Sequence, residues 1–517
     1  MAQESLIERI IAAISPRMAA ERASWRQAHD LVKGQRNYAG ADRGRLSADW
    51  RTTSSSADLE IWRDLATLRN RSRDLVRNNP YAAAAVRGLA SDLVGNGVKA
   101  KATHRVKSVE KKAQEIWDAW ANSQVDGFNQ FAQIQLLAVR AMIEGGDALL
   151  IWQPDRGIPD AMVHVVEGDF LDSTKTIKLN DGRIVSGVET DENGRRRAYW
   201  VLNDHPGDIL GGFSVSTDGS AVGNLGNGFS RRLDARDVDH IFRADRPGQT
   251  RGAPWLASVI RKLRNIEQLE ESIQAKKRVE ACLALIRETP DADANNPLIG
   301  DVETQSDGTN WETISPGMVV TTLPGEKVSV VNPSSISDGD AFHRAQLMAV
   351  SAGIGIPYHR ITNDVSQANY SSLRAATVAY WADLDTDLGQ VIIPHLCEPA
   401  FTRVMRRAAL QTGDKRLLEV KATWTPPARA WVDPLKDITA EVLEIRAGLA
   451  SMPGALSQRG TNYRDHYAEI AAANDLADKL GLALQTDPRR VNDKGALQPA
   501  TGYLAPSGEQ PQPVQGE

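Results

Sequence analysis

The chain has 517 residues, 41% of them hydrophobic, and 61 Lys and Arg against 66 Asp and Glu give a net charge of −5. That length exceeds one ordinary domain and supplies a substantial core, so several packed units are expected. The slight acidic excess argues against a free-standing sequence-specific DNA binder, and two cysteines 115 positions apart, Cys282 and Cys397, exclude a disulfide framework or CxxC metal site.

The segment 6–14 is amphipathic and stopped by Pro16, which suits neither a signal peptide nor a membrane span; it reads as a short helix docked on its own chain or on a partner. Residues 1–56 form an N-terminal arm, polar and weakly periodic from Trp25 onward. A helix is expected over 58–76. Asn79 is placed to cap a second helix, with Pro80 at its first position and a stop at Gly95, Asn96 and Gly97. Helices over 109–120 and 128–143 follow, the latter ending at Gly145 and Gly146, and 148–152 reads as a buried strand.

Between 163 and 242 the signals turn to short strands, at 163–166, 184–189, 197–202 and 239–242, around a Gly- and Ser-rich excursion at 207–230 expected to be mobile. The longest helical signal runs over 254–287, where Leu256, Ile260, Leu263, Ile266 and Ile273 form an apolar seam. At 1.5 Å per residue it would reach roughly 50 Å, and a helix of that length with a narrow seam packs along another helix. Residues 317–323 and 327–331 frame a Pro324-Gly325 turn and predict a hairpin. Further helices are expected over 340–352, 371–388, 395–411 and 437–449, and the Pro-rich stretch 485–517 lacks periodic apolar residues, as a disordered tail does.

No catalytic constellation appears in the sequence: there is no GxxxxGK[ST] phosphate loop, no HExxH and no GxSxG. Asp383, Asp385 and Asp387 begin like an EF-hand loop, but Leu388 stands where Gly is required and Pro394 where the bidentate Glu belongs, so a solvated acidic helix end is expected. No cofactor or metal is therefore assigned. Basic clusters at Arg69, Arg71, Arg73 and Arg77, at 195–197, at Arg261, Lys262 and Arg264, and at Arg403, Arg406 and Arg407 are candidates for phosphate contact or for pairing between subunits.

The most informative stretch is 353–374. Gly353, Gly355 and Pro357 interrupt a helix, Tyr358 and His359 follow, and Asn363, Asp364, Asn369 and Tyr370 lie in a polar segment before the next helix begins. It reads as a moving part. This stretch resembles the signature of lambda-type tailed-phage portal proteins, and four further segments resemble the same family in order and spacing: 77–83, 248–255, 369–375, and 431–436 leading to 447–449 and 458–460. Together they cover roughly residues 65–475. At 452–455, Met-Pro-Gly-Ala departs from the acidic stretch common there.

The resemblance implies an α+β, mainly helical fold with wing, stem, clip and crown regions, assembling as a ring of about twelve copies at one capsid vertex. On that mapping 57–253 is wing, 254–289 the first stem helix, 290–338 the clip with its hairpin, 339–370 the second stem helix and tunnel loop, and 371–484 wing and crown helices. The partners implied are the terminase large subunit, then head-completion or adaptor proteins, the major capsid and scaffold proteins, and double-stranded DNA without sequence specificity. Assembly in the host cytoplasm and residence in the virion, with no membrane, complete the expectation. An adaptor or tail-tube component is the structural alternative, and a packaging ATPase or nuclease the enzymatic one.

Overall fold

A computed structural model describes residues 54–153, 162–207, 230–282, 339–429 and 434–482, positions 484, 487 and 489, and the short strands named below. The chain divides into two compact units, 1–56 and 57–517. Within the second, α1 (Ala57–Asn78) and α2 (Pro80–Val94) meet at a sharp joint for the expected reason. The Asn79 side chain accepts hydrogen bonds from the amides of Tyr81 and Ala82, and Pro80 opens the helix. Strand β1 (Lys99–Thr103) leads to α3 (Lys107–Ala121) and α4 (Phe131–Gly145), and β2 (Asp147–Trp152) is buried along its whole length.

The β-rich region holds β3 (Val163–Glu167), β4 (Ile177–Leu179), β5 (Gly182–Val185), β6 (Val188–Asp191), β7 (Arg196–Leu202), β8 (Ser214–Val215), β9 (Ala221–Val222), β10 (Ser230–Asp234) and β11 (Val238–Phe242). The order β11-β2-β3 makes one antiparallel sheet and β10-β7-β6-β5-β4 another. The single strand expected over 184–189 is two strands, because Ser186 (φ 46°) and Gly187 (φ 83°) both take left-handed conformations and fold the chain into a tight hairpin. Of the expected mobile excursion, 207–230, β8 and β9 pair as a two-stranded ribbon, Ser230 already belongs to β10, and the remaining residues after Gly207 lie outside the described residues.

Helix α5 (Ile260–Cys282) starts six residues later than the periodicity predicts. Between Pro254 and Ile260 the chain turns more tightly, with the Ala257 amide bonded to the Pro254 carbonyl and Val259 to Leu256, so Leu256 belongs to the lead-in and not to the helix. The far end also differs, since β12 (Leu285–Glu288) is a strand. It pairs in parallel with β15 (Val319–Thr322), after β13 (Val302–Thr304) and β14 (Asn310–Glu312) pair with each other. The first arm of the predicted hairpin therefore has a partner 34 residues upstream, and the second arm, 327–331, lies outside the described residues.

Helix α6 (Gly339–Ile354) and the short α7 (Tyr358–Thr362) precede α8 (Tyr370–Asp387), which runs without a break through a π-helical stretch, Leu388–Cys397, into α9 (Glu398–Thr412). The apolar run around Pro394 is thus a wide helical turn where a gap between two helices is expected. A π-helix bonds residues five apart and tolerates the missing proline amide locally. Strand β16 (Lys421–Thr425) pairs with β1, and α10 (Pro434–Arg446), α11 (Met452–Gln458) and α12 (Tyr463–Lys479) end the described chain. Of the expected disordered tail, 485–517, Asp487 and Arg489 are ordered instead, with Asp487 buried and Arg489 paired to Asp487 and to Asp478 on α12, and the residues beyond Arg489 lie outside the described residues.

The main core joins α2, α3, α4, α9 and the α5 seam. At its centre, aromatics brought from five elements meet. The Trp117 ring packs edge-on to Phe131 at 5.3 Å and to Trp424 at 5.9 Å, while Trp120 stacks on Trp152 at 6.0 Å. Phe401 of α9 lies 5.2 Å from Trp117, so the cluster ties the N-terminal helices to β16 and α9, contacts invisible to any local sequence pattern.

Candidate functional site at the root of the long helix

Where α5 leaves the β-rich region, a buried charge centre holds the chain. Asp147 is fully buried at the start of β2, immediately after the Gly145-Gly146 stop of α4. Its carboxylate pairs with Arg69 from α1 and with Arg251 from the segment before α5, both almost wholly buried. Each guanidinium has donors left over, and carbonyls accept them. Arg69 Nε donates to the Gly145 carbonyl at 2.8 Å, while Arg251 Nη1 reaches the Ser186 carbonyl at 3.0 Å and Nη2 the Gly168 carbonyl at 2.6 Å. Burial alone would raise the Asp147 carboxyl, but Arg251, Arg69 and the His240 hydrogen bond outweigh it and hold the group well below the usual carboxylate range.

His240 on β11 completes the centre. Arg196, always a donor, points Nη1 at His240 Nδ1 over 3.1 Å, so Nδ1 accepts and the proton sits on Nε2, which lies 3.2 Å from Asp147 Oδ2. Burial, outweighing the help of Asp147, pulls the imidazole down to about 3, and it is neutral. Two glycines make room. A Cβ on Gly168 would lie 1.7 Å from Asp147 Oδ1, and one on Gly252 would lie 2.0 Å from the Gly146 carbonyl oxygen. Within the family-like segment 248–255, Gln249 bonds the amides of Asp245 and Arg246, Thr250 bonds Asp58, Arg251 enters the charge centre, and Gly252 allows the backbone approach. This segment is the clamp that fixes the origin of α5.

The predicted basic cluster on α1 therefore points inward at Arg69 and Arg73, the latter pairing with Glu167 and Asp169, and these two are unavailable to a phosphate. Glu167, Asp169 and His205 bring ligand-type atoms within 4.8 Å of one another, but Arg73 already supplies the cation there. In the other clusters, Arg403 pairs with Asp239, Arg197 with Asp181 and Arg264 with Glu267. Asp385, from the rejected EF-hand-like run, pairs with Arg429.

Of the seam, Leu256, Ile260, Leu263 and Ile266 are buried, whereas Ile273, two turns further on, is only half-buried. Helix α6 returns along α5 in the opposite direction. Ser258 Oγ donates to the Gly353 carbonyl at 3.1 Å, Lys262 Nζ reaches Gln346 at 3.3 Å, and His343 Nε2 lies 2.7 Å from Glu270 Oε1, which also accepts from Tyr81 at 3.0 Å. Burial and that carboxylate push the Tyr81 hydroxyl up to about 12. Gly353 is the close-contact position of this helix pair, since a Cβ there would lie 2.4 Å from Val259 Cγ1.

The segment after α6 divides in two. Gly355 (φ 82°) ends the helix, and Ile356 and Ile361 are buried. Pro357, Tyr358 and His359 are half-buried around α7, with Tyr358 donating to Asp364 at 3.2 Å beneath the Arg344 guanidinium. Beyond Asn363 (φ 56°), residues 365–370 are exposed, until Asn369 caps α8 reciprocally with Ser372. Tyr370 is exposed, with the Lys436 ammonium 5.4 Å above its ring. The predicted loop residues thus comprise an anchored half, 353–362, and an exposed half, 363–370.

Residues 43–386 match the family described as phage portal protein, lambda family, and the chain belongs to that family. Its function is that of a portal protein, a structural component of a bacteriophage particle. The probable portal protein of Halomonas phage phiHAP-1 is 24% identical over 472 residues, covering 86% of this chain and 88% of that one. Portal protein B of Escherichia phage lambda is 22% identical over 486 residues, covering 85% and 90%, and the portal protein of Escherichia phage N15 is 23% identical over 466 residues, covering 81% and 86%. A solved chain from the neck of a native GTA particle, computed with C12 symmetry, has 14% identity and a TM-score of 0.39, covering 81% of this chain and 97% of that one.

Proposed function

We propose that about twelve copies of this chain close into a ring at one capsid vertex and that double-stranded DNA passes through the central hole in both directions. The observation that carries this reading is the state of the C-terminal helices. No residue of α10 or α12 is buried, yet Leu435, Ile438, Val442 and Leu443 line α10, and Tyr467, Ile470 and Leu476 lie on α12. A lone subunit leaves this apolar surface in water, and neighbouring copies would cover it.

In this arrangement α5 and α6 serve as the stem, 290–338 as the clip, and 363–370 as the loop bordering the hole. The clip docks the terminase during packaging and head-completion or adaptor proteins afterward, while the wider rim meets capsid and scaffold proteins. The chain performs no bond-making itself. Force comes from the partner motor, and a near-neutral subunit suits sliding DNA, because a lining that neutralised about ten phosphates would bind it tightly. The test is the native mass of the purified protein together with negative-stain images. A wide-rimmed ring with a hole of DNA width is expected; a strictly monomeric product, a stacked tube, or unaided nucleotide hydrolysis would overturn the reading.

A further inference from the structure

We infer that Asp92 is the positioning residue of the exposed loop 363–369, holding the chain on both sides of it. Asp92 lies near the end of α2, far in sequence from the loop. Its carboxylate receives both arms of Arg360, with Nε at 3.0 Å from Oδ2 and Nη2 at 2.5 Å from Oδ1; Arg360 sits on α7, three residues before the loop begins. The same Oδ2 accepts from the Tyr380 hydroxyl at 3.0 Å, and Tyr380 is a buried residue of α8, on the far side of the loop. One carboxylate thus ties α7, three residues before the seven-residue excursion, to α8, eleven residues after Asn369.

The geometry is that of a built anchor. The Arg360 fork is bidentate, which sets orientation as well as distance. Burial and the neighbouring Asp92 charge raise the Tyr380 hydroxyl, so it stays protonated and remains a donor. Arg429 reinforces the joint, donating Nη1 to the Asp92 carbonyl at 3.0 Å and Nη2 to Asp385 on α8 at 2.7 Å. The loop between has its own short-range bonds, from the Ser366 amide and hydroxyl to Asp364 and from the Ala368 amide to the Val365 carbonyl, but residues 365–369 are exposed. Where the excursion sits is set by the two helices that carry it, and both helices are tied to Asp92.

The inference rests on the reading that 363–370 borders the DNA path, and the experiment separates the two. Hydrogen–deuterium exchange of 361–370 is measured in the assembled full-length protein for wild type, Asp92→Ala, Tyr380→Phe and Arg360→Lys, with native mass as the control for assembly and DNA packaging as the functional readout. Losing a charge-assisted bidentate contact should speed exchange about tenfold in Asp92→Ala, and by smaller factors in Tyr380→Phe and Arg360→Lys. The reversed pair Asp92→Arg with Arg360→Asp rebuilds the ion pair but not the acceptor for Tyr380, so it should slow exchange again in part, which a general loss of stability would not do. Wild-type exchange in Asp92→Ala overturns the inference. Should Asp92→Ala fail to assemble, wild-type exchange in both Tyr380→Phe and Arg360→Lys overturns it equally. Faster exchange with undiminished packaging leaves Asp92 as the anchor and sinks the channel role of the loop.

Discussion

Asp147 is a buried acid with two buried arginines and a neutral histidine around it, and removing its charge should cost far more than removing a surface carboxylate. Asp147→Asn strands Arg69 and Arg251 without a counter-charge, a change expected to cost about 3–5 kcal/mol, read as a large drop in the urea midpoint of the isolated protein. His240 gives the same centre a pH signature. Its folded state stays neutral down to about 3, whereas the unfolded chain takes up a proton near pH 6.5, so the unfolded state binds more protons between those values. Stability therefore falls as the pH is lowered from about 6 to 4, by up to about 1.4 kcal/mol per pH unit from this group, and the depressed Asp147 adds its own loss below about pH 4. His240→Gln, which keeps a donor toward Asp147, should flatten the slope between pH 6 and 4; an identical slope in both proteins would refute the assignment. The centre itself is not legible in the sequence, because Arg69, Asp147, His240 and Arg251 lie 78, 93 and 11 positions apart; Arg69 reads as one of a basic cluster and Arg251 as part of the segment 248–255, with no local signal that joins them.

At the scale of elements, legibility followed locality. The cap of α2 by Asn79 and Pro80 is written within four residues, and the structure forms it as read. The strand expected over 184–189 breaks at Ser186-Gly187, a turn whose only local cue inside an apolar run is the glycine. The α5 seam continued backward through the turns before Ile260 because tight turns also place apolar residues three apart. The glycines at the end of α6, taken together as one flexible break, have different tasks. Gly353→Ala forces a Cβ into Val259 and should destabilise the α5–α6 pair by about 1–3 kcal/mol. Gly355→Ala meets open space but must hold φ at 82°, costing about 1 kcal/mol. Thermal unfolding of the two variants separates packing from backbone strain: equal shifts, or a larger one for Gly355→Ala, would contradict the tight contact at Gly353.

For the whole molecule, the subunit is tied firmly on one side and left uncovered on another. The aromatic cluster around Trp117 and the charge centre at Asp147 fasten α1, α4, β2, α9, β16 and the root of α5 together, whereas α10 and α12 bury none of their residues. Fold and assembly should therefore respond to different substitutions. Replacing Leu435 and Leu443, 79% and 58% exposed, by Ser removes apolar area that the subunit itself does not use, so monomer stability should move by no more than about 0.5 kcal/mol. In a ring each copy carries the change at every equivalent contact, and burial of each leucine is worth about 1.5–3 kcal/mol, so the double variant should shift native mass from rings toward single subunits at equal concentration. The composition could not announce this, since an apolar stripe on a helix reads the same whether its cover comes from its own chain or from a neighbour. If the double variant instead unfolds at lower urea while its rings persist, α10 packs within its own subunit in the assembled state, and the contact that closes the ring lies elsewhere.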